Sequence, residues 1–377
     1  MSGMGGWSTR RGGVAAGGIA VLAVVCALMA GCGSVDDSAP AAAEATSSTI
    51  AFTRGREIWA VRADGGDPRR LVAPEAHGGS VQDPQWSPEG DRIAFLERGR
   101  GSGIPPGRIV VMGADGAGRR AVSPPGPISS PAWSPDGRSI AYLRSRIDRR
   151  GRELFATDVW IAPVRGGAPR RVAGPPGGSY EFSWSPDGRF LALAGVPRAC
   201  GCGNSELYVV GADGEGLRNL SRTPYEERDP DWMPDGHTIS IIQRAEVVLV
   251  DARDGTRRSV TRGGRAYQAV PSPDGHRIAL IRWEVRDGLE RPSLWLADPA
   301  GGALTPLVTG KIVGIAPRWS PGGDAIAFAA QPVPRTRVTP WNVHLVDLAT
   351  HRVHPVTRFG GRSVVDGPVF RPGEPGG

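Results

Sequence analysis

From residue 49 onward the apolar residues fall into short runs separated by clusters of Gly, Pro, Asp and Ser, a spacing that suits strands and turns rather than amphipathic helices. One set of runs reads Ile93-Ala94-Phe95, Ile140-Ala141-Tyr142, Phe190-Leu191-Ala192-Leu193, Ile239-Ser240-Ile241, Ile278-Ala279-Leu280 and Ile326-Ala327-Phe328. Each is followed by a second run: Ile109-Val110-Val111, Val159-Trp160-Ile161, Leu207-Tyr208-Val209, Val247-Val248-Leu249, Leu294-Trp295-Leu296 and Val343-His344-Leu345. β-Branched and aromatic residues of this kind suit buried or half-buried strands. Ahead of each first run stands Trp-Ser-Pro-Asp-Gly or a near copy. Residues 133–137 and 184–188 carry it whole, residues 86–90, 232–236 and 319–323 differ at one position, and residues 271–275 lack the tryptophan. Proline presets φ, aspartate offers a local hydrogen bond and glycine accepts a positive φ, so the marker predicts a sharp reversal between strands.

Along the tryptophan column the spacings are 47, 51, 48, 39 and 48 residues. Units of about 40–50 residues with four strands each are the blades of a propeller. The two ends are incomplete in complementary ways. Ile50-Ala51-Phe52, Ile58-Trp59-Ala60-Val61 and Arg70-Leu71-Val72 supply a second, third and fourth strand with no marker before them. Gly367-Pro368-Val369-Phe370-Arg371-Pro372-Gly373 looks like a decayed marker with nothing after it. The prediction is an all-β, seven-bladed β-propeller of four-stranded antiparallel blades, closed by pairing N- and C-terminal strands within one blade. Closure removes the open sheet edge that would otherwise invite aggregation.

Composition adds an address. Gly 55 and Pro 35 would suggest low complexity if they were not in register with the repeat. Of 45 basic residues all but Lys311 are arginine. Arg10 and Arg11 precede an apolar stretch at residues 14–30 and then small residues, the order of an export signal. Residues 12–31 also approach the length of a membrane-spanning helix, which is the alternative. Leu28-Met29-Ala30-Gly31-Cys32 resembles the lipobox of bacterial lipoproteins, whose cysteine is lipidated and becomes the new N-terminus; Met29 departs mildly from that pattern. The expected organisation is a signal peptide at 1–31, lipidated Cys32 with a flexible leash to residue 48, and a propeller at 49–377. Loss of Arg10 and Arg11 lowers the formal charge from +7 to +5. Either anchor tethers the rest outside the cytoplasmic membrane, on its periplasmic or cell-wall side.

The repeat units resemble those of TolB and related extracytoplasmic propellers over nearly the whole chain after residue 49. TolB carries an additional N-terminal α/β domain, whereas only the leash precedes the first strand here, so a role in the Tol system is not carried over. Similar propellers precede serine hydrolase domains in prolyl-oligopeptidase relatives, and no such domain is expected here. A TolB-like lyase family uses histidines and a metal at the channel mouth; in this chain His77 is the exception among links that mostly lack histidine.

Antiparallel strands place the marker turns and the Asp-Gly turns on one face. The loops between second and third strands and the links between blades fall on the other, where binding residues tend to lie. The long-loop face holds Arg98, Arg100, Arg144, Arg146, Arg149, Arg150, Arg152, Arg282, Arg286, Arg335 and Arg337. Guanidinium groups clasp carboxylates and phosphates, which suggests an anionic partner; interspersed acids such as Glu97, Glu153, Glu284 and Glu290 suggest solvated loops instead. Links into the innermost strands bring Asp83, Tyr180, Glu181, Tyr225, Asp229 and Tyr267 to the channel mouth, a mixture suited to peptide or sugar. The alternative is that these acids hydrogen-bond the neighbouring blade. Trp86, Trp133, Trp184, Trp232 and Trp319 are expected to pack between blades. Cys200 and Cys202 could form a strained disulfide outside the cell, and two sulfurs without companion histidines fall short of a zinc site. His351 and His354, with His344 on the preceding strand, form the histidine cluster; residues three apart fall on opposite faces of a strand, so joint metal binding by His351 and His354 needs a turn, and solvated surface is the expectation.

No nucleophile elbow, metalloprotease motif or phosphate-binding glycine loop occurs, so no catalytic residue, metal or cofactor is expected. The expected role is a membrane-anchored, non-catalytic scaffold, monomeric, binding a protein or an anionic envelope polymer and not nucleic acid. A polysaccharide lyase or hydrolase working at the channel mouth, or a sensory ectodomain, are the alternatives. Replacing Cys32 by serine should release the protein from the membrane fraction; undiminished retention would favour a spanning helix.

Overall fold

The computed structural model describes residues 48–377 apart from 76, 101–105, 148–152, 198–203, 222, 287, 310–311, 333–339, 361–363 and 374–377. Cys32, Arg149, Arg150, Arg152, Cys200, Cys202, Arg335 and Arg337 lie outside the described residues.

The marker reverses the chain through its own side chains. The Ser134 hydroxyl donates to Asp136 Oδ1 at 2.6 Å and accepts from the Ser139 N–H at 3.0 Å, while Gly137 takes φ +64°. Ser185 with Asp187 and Ser272 with Asp274 repeat the arrangement. Where the marker lacks its aspartate, at Glu89 and Gly322, the residue after the glycine supplies one. Ser87 donates to Asp91 and Ser320 to Asp324.

The described strands form seven four-stranded antiparallel sheets. Blade 1 is the split one: Val365–Phe370 inside, then Thr49–Arg54, Glu57–Arg62 and Arg69–Val72. Its closing register pairs Ile50 with Phe370, Ala51 with Val369 and Arg54 with Val365. The inner strands of blades 2 to 7 are Ser80–Trp86, Ile128–Trp133, Ser179–Trp184, Glu227–Trp232, Ala266–Pro271 and Ile312–Trp319.

Period-two alternation gives each sheet two apolar faces, and each face packs on a neighbour. In blade 2, Ile93 and Phe95 meet Ala51, Ile58 and Val369 of blade 1, whereas Ala94 and Leu96 meet Ile140 and Tyr142 of blade 3. The closing joint has the same character: Ile50, Phe52 and Phe370 pack on Ala327, Val343 and Leu345 of blade 7. The marker tryptophans sit in these joints as expected. Trp133 Nε1 donates to the Gln85 carbonyl at 2.9 Å and Trp319 Nε1 to that of Val270 at 2.9 Å, each in the preceding blade.

Arginine supplies a second stitch, at the rim. In the short fourth strands of blades 2 to 5, Arg120, Arg170, Arg218 and Arg258 each reach the turn of the next blade. Arg218 donates to the carbonyls of Ala252 and Arg253 at 2.9 and 3.0 Å, Arg120 to Val164 and Arg165, Arg170 to Ala212 and Arg258 to Pro299. A forked guanidinium can hold two carbonyls in fixed geometry, which a point-like ammonium does less well.

The chain enters the propeller on the turn face, where the Ala63 N–H donates to the Ser48 carbonyl at 2.8 Å. The opposite face is not uniformly long-looped. In blade 5 the connection is the two-residue turn Arg244–Ala245, with φ +53° and +57°, whereas in blade 6 a hairpin of Ile278–Arg286 and Leu289–Ala297 continues its pairing to Arg286 and Leu289. Among the described residues no helix is long and apolar enough to cross a membrane.

Past Phe370 the chain latches onto blade 2. Arg371 Nε donates to the Gly90 carbonyl at 2.7 Å, and a Cβ on Gly90 would stand 2.0 Å from the Pro372 carbonyl oxygen, at φ +69°. A chain ending at residue 363 loses burial of Val365, Val369 and Phe370, on the order of 5 kcal/mol at ~1.5–3 kcal/mol for each large side chain, and should aggregate through the bared edge of Thr49–Arg54. Gly90→Ala should show a milder loss of 1 kcal/mol or more, roughly the cost of one strained residue. Denaturant titration of both against the parent checks this; a truncated chain as stable as the parent would disprove the closure.

Candidate active face: the central channel

Inner strands break register at one position, between Gln82 and Gln85, Ser129 and Ala132, Arg228 and Asp231, and Ile315 and Arg318. Asp83, Ser130, Asp229 and Ala316 take φ of +53°, +54°, +53° and +54° there, and Gly367 takes +59° in blade 1. The next residue is proline in all five: Pro84, Pro131, Pro230, Pro317 and Pro368. A bulge strands one backbone N–H, and proline has none to strand.

The bulges line a central cavity of about 450 Å³ whose walls include Asp83, Tyr180, Glu181, Asp229, Arg318 and Asp366. Of the six residues expected at the channel mouth, Asp83, Tyr180, Glu181 and Asp229 line this cavity. Tyr225 and Tyr267 stand outside it, exposed, with the guanidiniums of Arg244 and Arg228 over their rings at 4.7 and 5.0 Å. A larger open hollow of about 770 Å³ lies on the turn side of blade 2. Its charged residues are held by the propeller itself: Asp91 by Ser87, Arg92 by Asp91, Arg120 by the blade 3 turn and Arg371 by Gly90. The channel is therefore the better candidate.

Two of its carboxylates also stitch blades. Glu181 accepts the Asp229 N–H, and Asp229 Oδ2 accepts the Ala269 N–H at 2.8 Å, joining blades 4, 5 and 6. Asp83 has no hydrogen bond or ion pair among the described residues; burial and then the charge of Asp366 raise its pKa. Burial pushes Asp229 up to about 6 despite the Ala269 N–H, and Glu181 adds to the rise. Asp231 is pushed up to about 7, first by burial and then by Asp229, with Arg318 opposing. Asp366 and Arg318, which also line the cavity, and Asp231, which feels the charge of Asp229, did not come from reading the links alone.

The described arginines of the long-loop face are mostly engaged by the propeller. Arg98 donates to the Ile128 carbonyl at 2.8 Å, and Arg146 grips Asp158 through two bonds of 3.0 and 2.7 Å. Arg144 and Arg282 lie over Trp160 and Trp295 at 5.3 and 5.0 Å. Arg100 is exposed, and Arg286 is the last residue of its strand. His344 departs from the expected solvated surface: it is buried, stacked on Phe328 at 5.8 Å, and burial lowers its pKa. Among the described residues no group of three or more His, Cys, Asp or Glu is placed to hold a metal ion.

The TolB beta propeller domain matches residues 105–287 by its family profile. The fold is that of a TolB-like β-propeller, with the family match running over these residues. TolB from Acinetobacter baumannii shares this fold at 17% identity, covering 86% of this chain and 82% of that one with a TM-score of 0.53. An oligogalacturonate lyase in complex with manganese shares it at 11% identity, covering 76% and 83% with a TM-score of 0.58. By sequence, the TolB-like propeller is 25% identical over 194 residues to an uncharacterized peptidase of Bacillus subtilis, YuxL, covering 50% of this chain and 27% of that protein. The chain spans less than two thirds of the length of the curated relatives it matches.

The raised carboxyls make stability depend on pH. Both Asp229 and Asp231 hold protons more tightly folded than unfolded, where an aspartate titrates near ~3.9, so their effect is to lower stability as pH rises from about 4 through about 7. Asp231→Asn cannot ionise and should be more stable than the parent at pH 8, with the two converging near pH 4. Denaturant midpoints at both pH values check this, and parallel pH profiles for the two chains would refute it.

Proposed function

We propose that this TolB-like propeller is an extracytoplasmic, membrane-tethered binding module that captures a protein partner on its long-loop face and draws a positively charged segment into the central channel, without catalysing a reaction. The observation that carries this reading is the convergence of Asp83, Glu181, Asp229 and Asp366 on one cavity with Arg318 as the cation in its lining. A buried surplus of carboxylates gains most from a cationic guest, because the low dielectric that makes those charges costly also strengthens their pairing. The described chain enters the propeller at Ser48 on the turn face, opposite the loops between second and third strands. An anionic polymer would rely on the loop arginines, and Arg98 and Arg146 are already bonded within the propeller.

A fluorescein-labelled Lys/Arg-rich peptide tests the channel by anisotropy. Asp83→Asn with Asp366→Asn should weaken binding about tenfold, the equivalent of ~1.4 kcal/mol, while circular dichroism remains that of the parent. Among the described residues Asp83 makes no hydrogen bond or ion pair and Asp366 accepts the N–H of its neighbour Gly367, so removing the two charges should not unfold the protein. Unchanged affinity, or tighter binding of a Glu-rich peptide through the same residues, would refute the proposal.

A further inference from the structure

Blades 5 and 6 carry a surface of opposite chemistry beside the channel. The short Arg244–Ala245 turn keeps blade 5 low, while the longer hairpin of blade 6 presents Trp283 and Val285, 38% and 54% exposed. Tyr267 meets Trp283 edge-on at 6.2 Å, and the Trp283 N–H donates to the Arg265 carbonyl at 3.0 Å. The N–H groups of Arg265 and Ala266 in turn donate to the Ala245 carbonyl at 2.8 and 2.7 Å. The turn, the tyrosine and the tryptophan therefore form one continuous ledge. On it Arg244 lies over Tyr225 and Arg228 over Tyr267, and neither guanidinium makes a hydrogen bond or ion pair among the described residues.

A two-residue turn of this kind wants Asn-Gly, because both positions need positive φ. Arg-Ala holds φ +53° and +57° at a cost, and the arginine so placed covers Tyr225. Trp, Tyr and Arg are the residues that dominate binding energy at protein contacts. We infer that this ledge is a docking surface for an acidic peptide segment that also bears apolar side chains. Its carboxylates would meet the unpaired guanidiniums, held flat by the tyrosines, and its apolar groups would cover Trp283 and Val285. The inference rests on the long-loop face being the partner-binding face, and it adds a direction. With carboxylates in the channel and guanidiniums on the ledge, a partner bearing an acidic and a basic segment can lie across the face in one sense only.

The test uses the full chain and three probes: a fluorescein-labelled Asp/Glu-rich peptide containing Leu and Phe, its Lys-substituted counterpart, and polygalacturonate. The acidic peptide should bind, weaken as salt rises, and lose about tenfold in affinity with Arg228→Gln plus Arg244→Gln and again with Trp283→Ala, all with parental circular dichroism. Arg228→Lys plus Arg244→Lys should restore only part of the loss, since an ammonium keeps the charge without the stacked plane. Asp83→Asn plus Asp366→Asn should leave acidic-peptide binding intact, so that the ledge and the channel fail separately. Acidic-peptide affinity insensitive to the ledge variants, or ledge-dependent binding of polygalacturonate without the acidic peptide, would overturn the inference.

Discussion

A blade of this protein is a small sheet with two apolar faces, and such a sheet is stable only when both are covered. Each blade covers one face of each neighbour, so no blade has an independent core and the requirement passes from joint to joint around the ring. Ile93 and Phe95 look one way into blade 1 while Ala94 and Leu96 look the other into blade 3. The requirement ends only because Val365–Phe370 returns to pair with Thr49–Arg54 and Ile50, Phe52 and Phe370 cover blade 7. Most of the remaining structure serves that closure. Indole N–H groups bind carbonyls of the preceding blade near the axis, and guanidinium groups bind the next blade at the rim.

The same geometry makes the channel costly. Inner strands converge on the axis, and a bulge in several of them aims an acid or a small residue inward. Where two carboxylates share that confined space, some of their charge is relieved by hydrogen bonds to the next blade and the rest by raised pKa values. Stitching and binding are therefore not alternatives for Asp229, whose one carboxylate faces both a backbone N–H and the cavity. Asp83, which bonds no other blade among the described residues, is the residue in which the two roles separate.

The fold was legible because its signals are local and repeated. Pro and Gly must sit at fixed turn positions, and the split blade shows as a missing marker at one end and a decayed one at the other. The site was harder to read. Asp83 and Asp229 were visible as acids ahead of the marker, but the proline-coupled bulge that turns them inward depends on pairing with the next strand. The rim arginines were invisible as clasps because their partners are backbone carbonyls about 34–45 residues away, which no side-chain pattern records. Equally hidden were Ser123, Thr261 and Thr357, whose hydroxyls accept the N–H of Ile109, Val247 and Val343 at 2.8, 2.9 and 2.9 Å where the links leave each blade.

The place where the chain enters the ring has a mechanical consequence. Thr49–Arg54 lies between Val365–Phe370 and Glu57–Arg62, bonded to both, and Ser48 leaves from its turn-face end. Tension delivered through the preceding residues runs along that strand, so two ladders are loaded in shear and must yield together instead of unzipping one bond at a time. A ring fastened by such a strand would resist a pull applied at Thr49 without being peeled open.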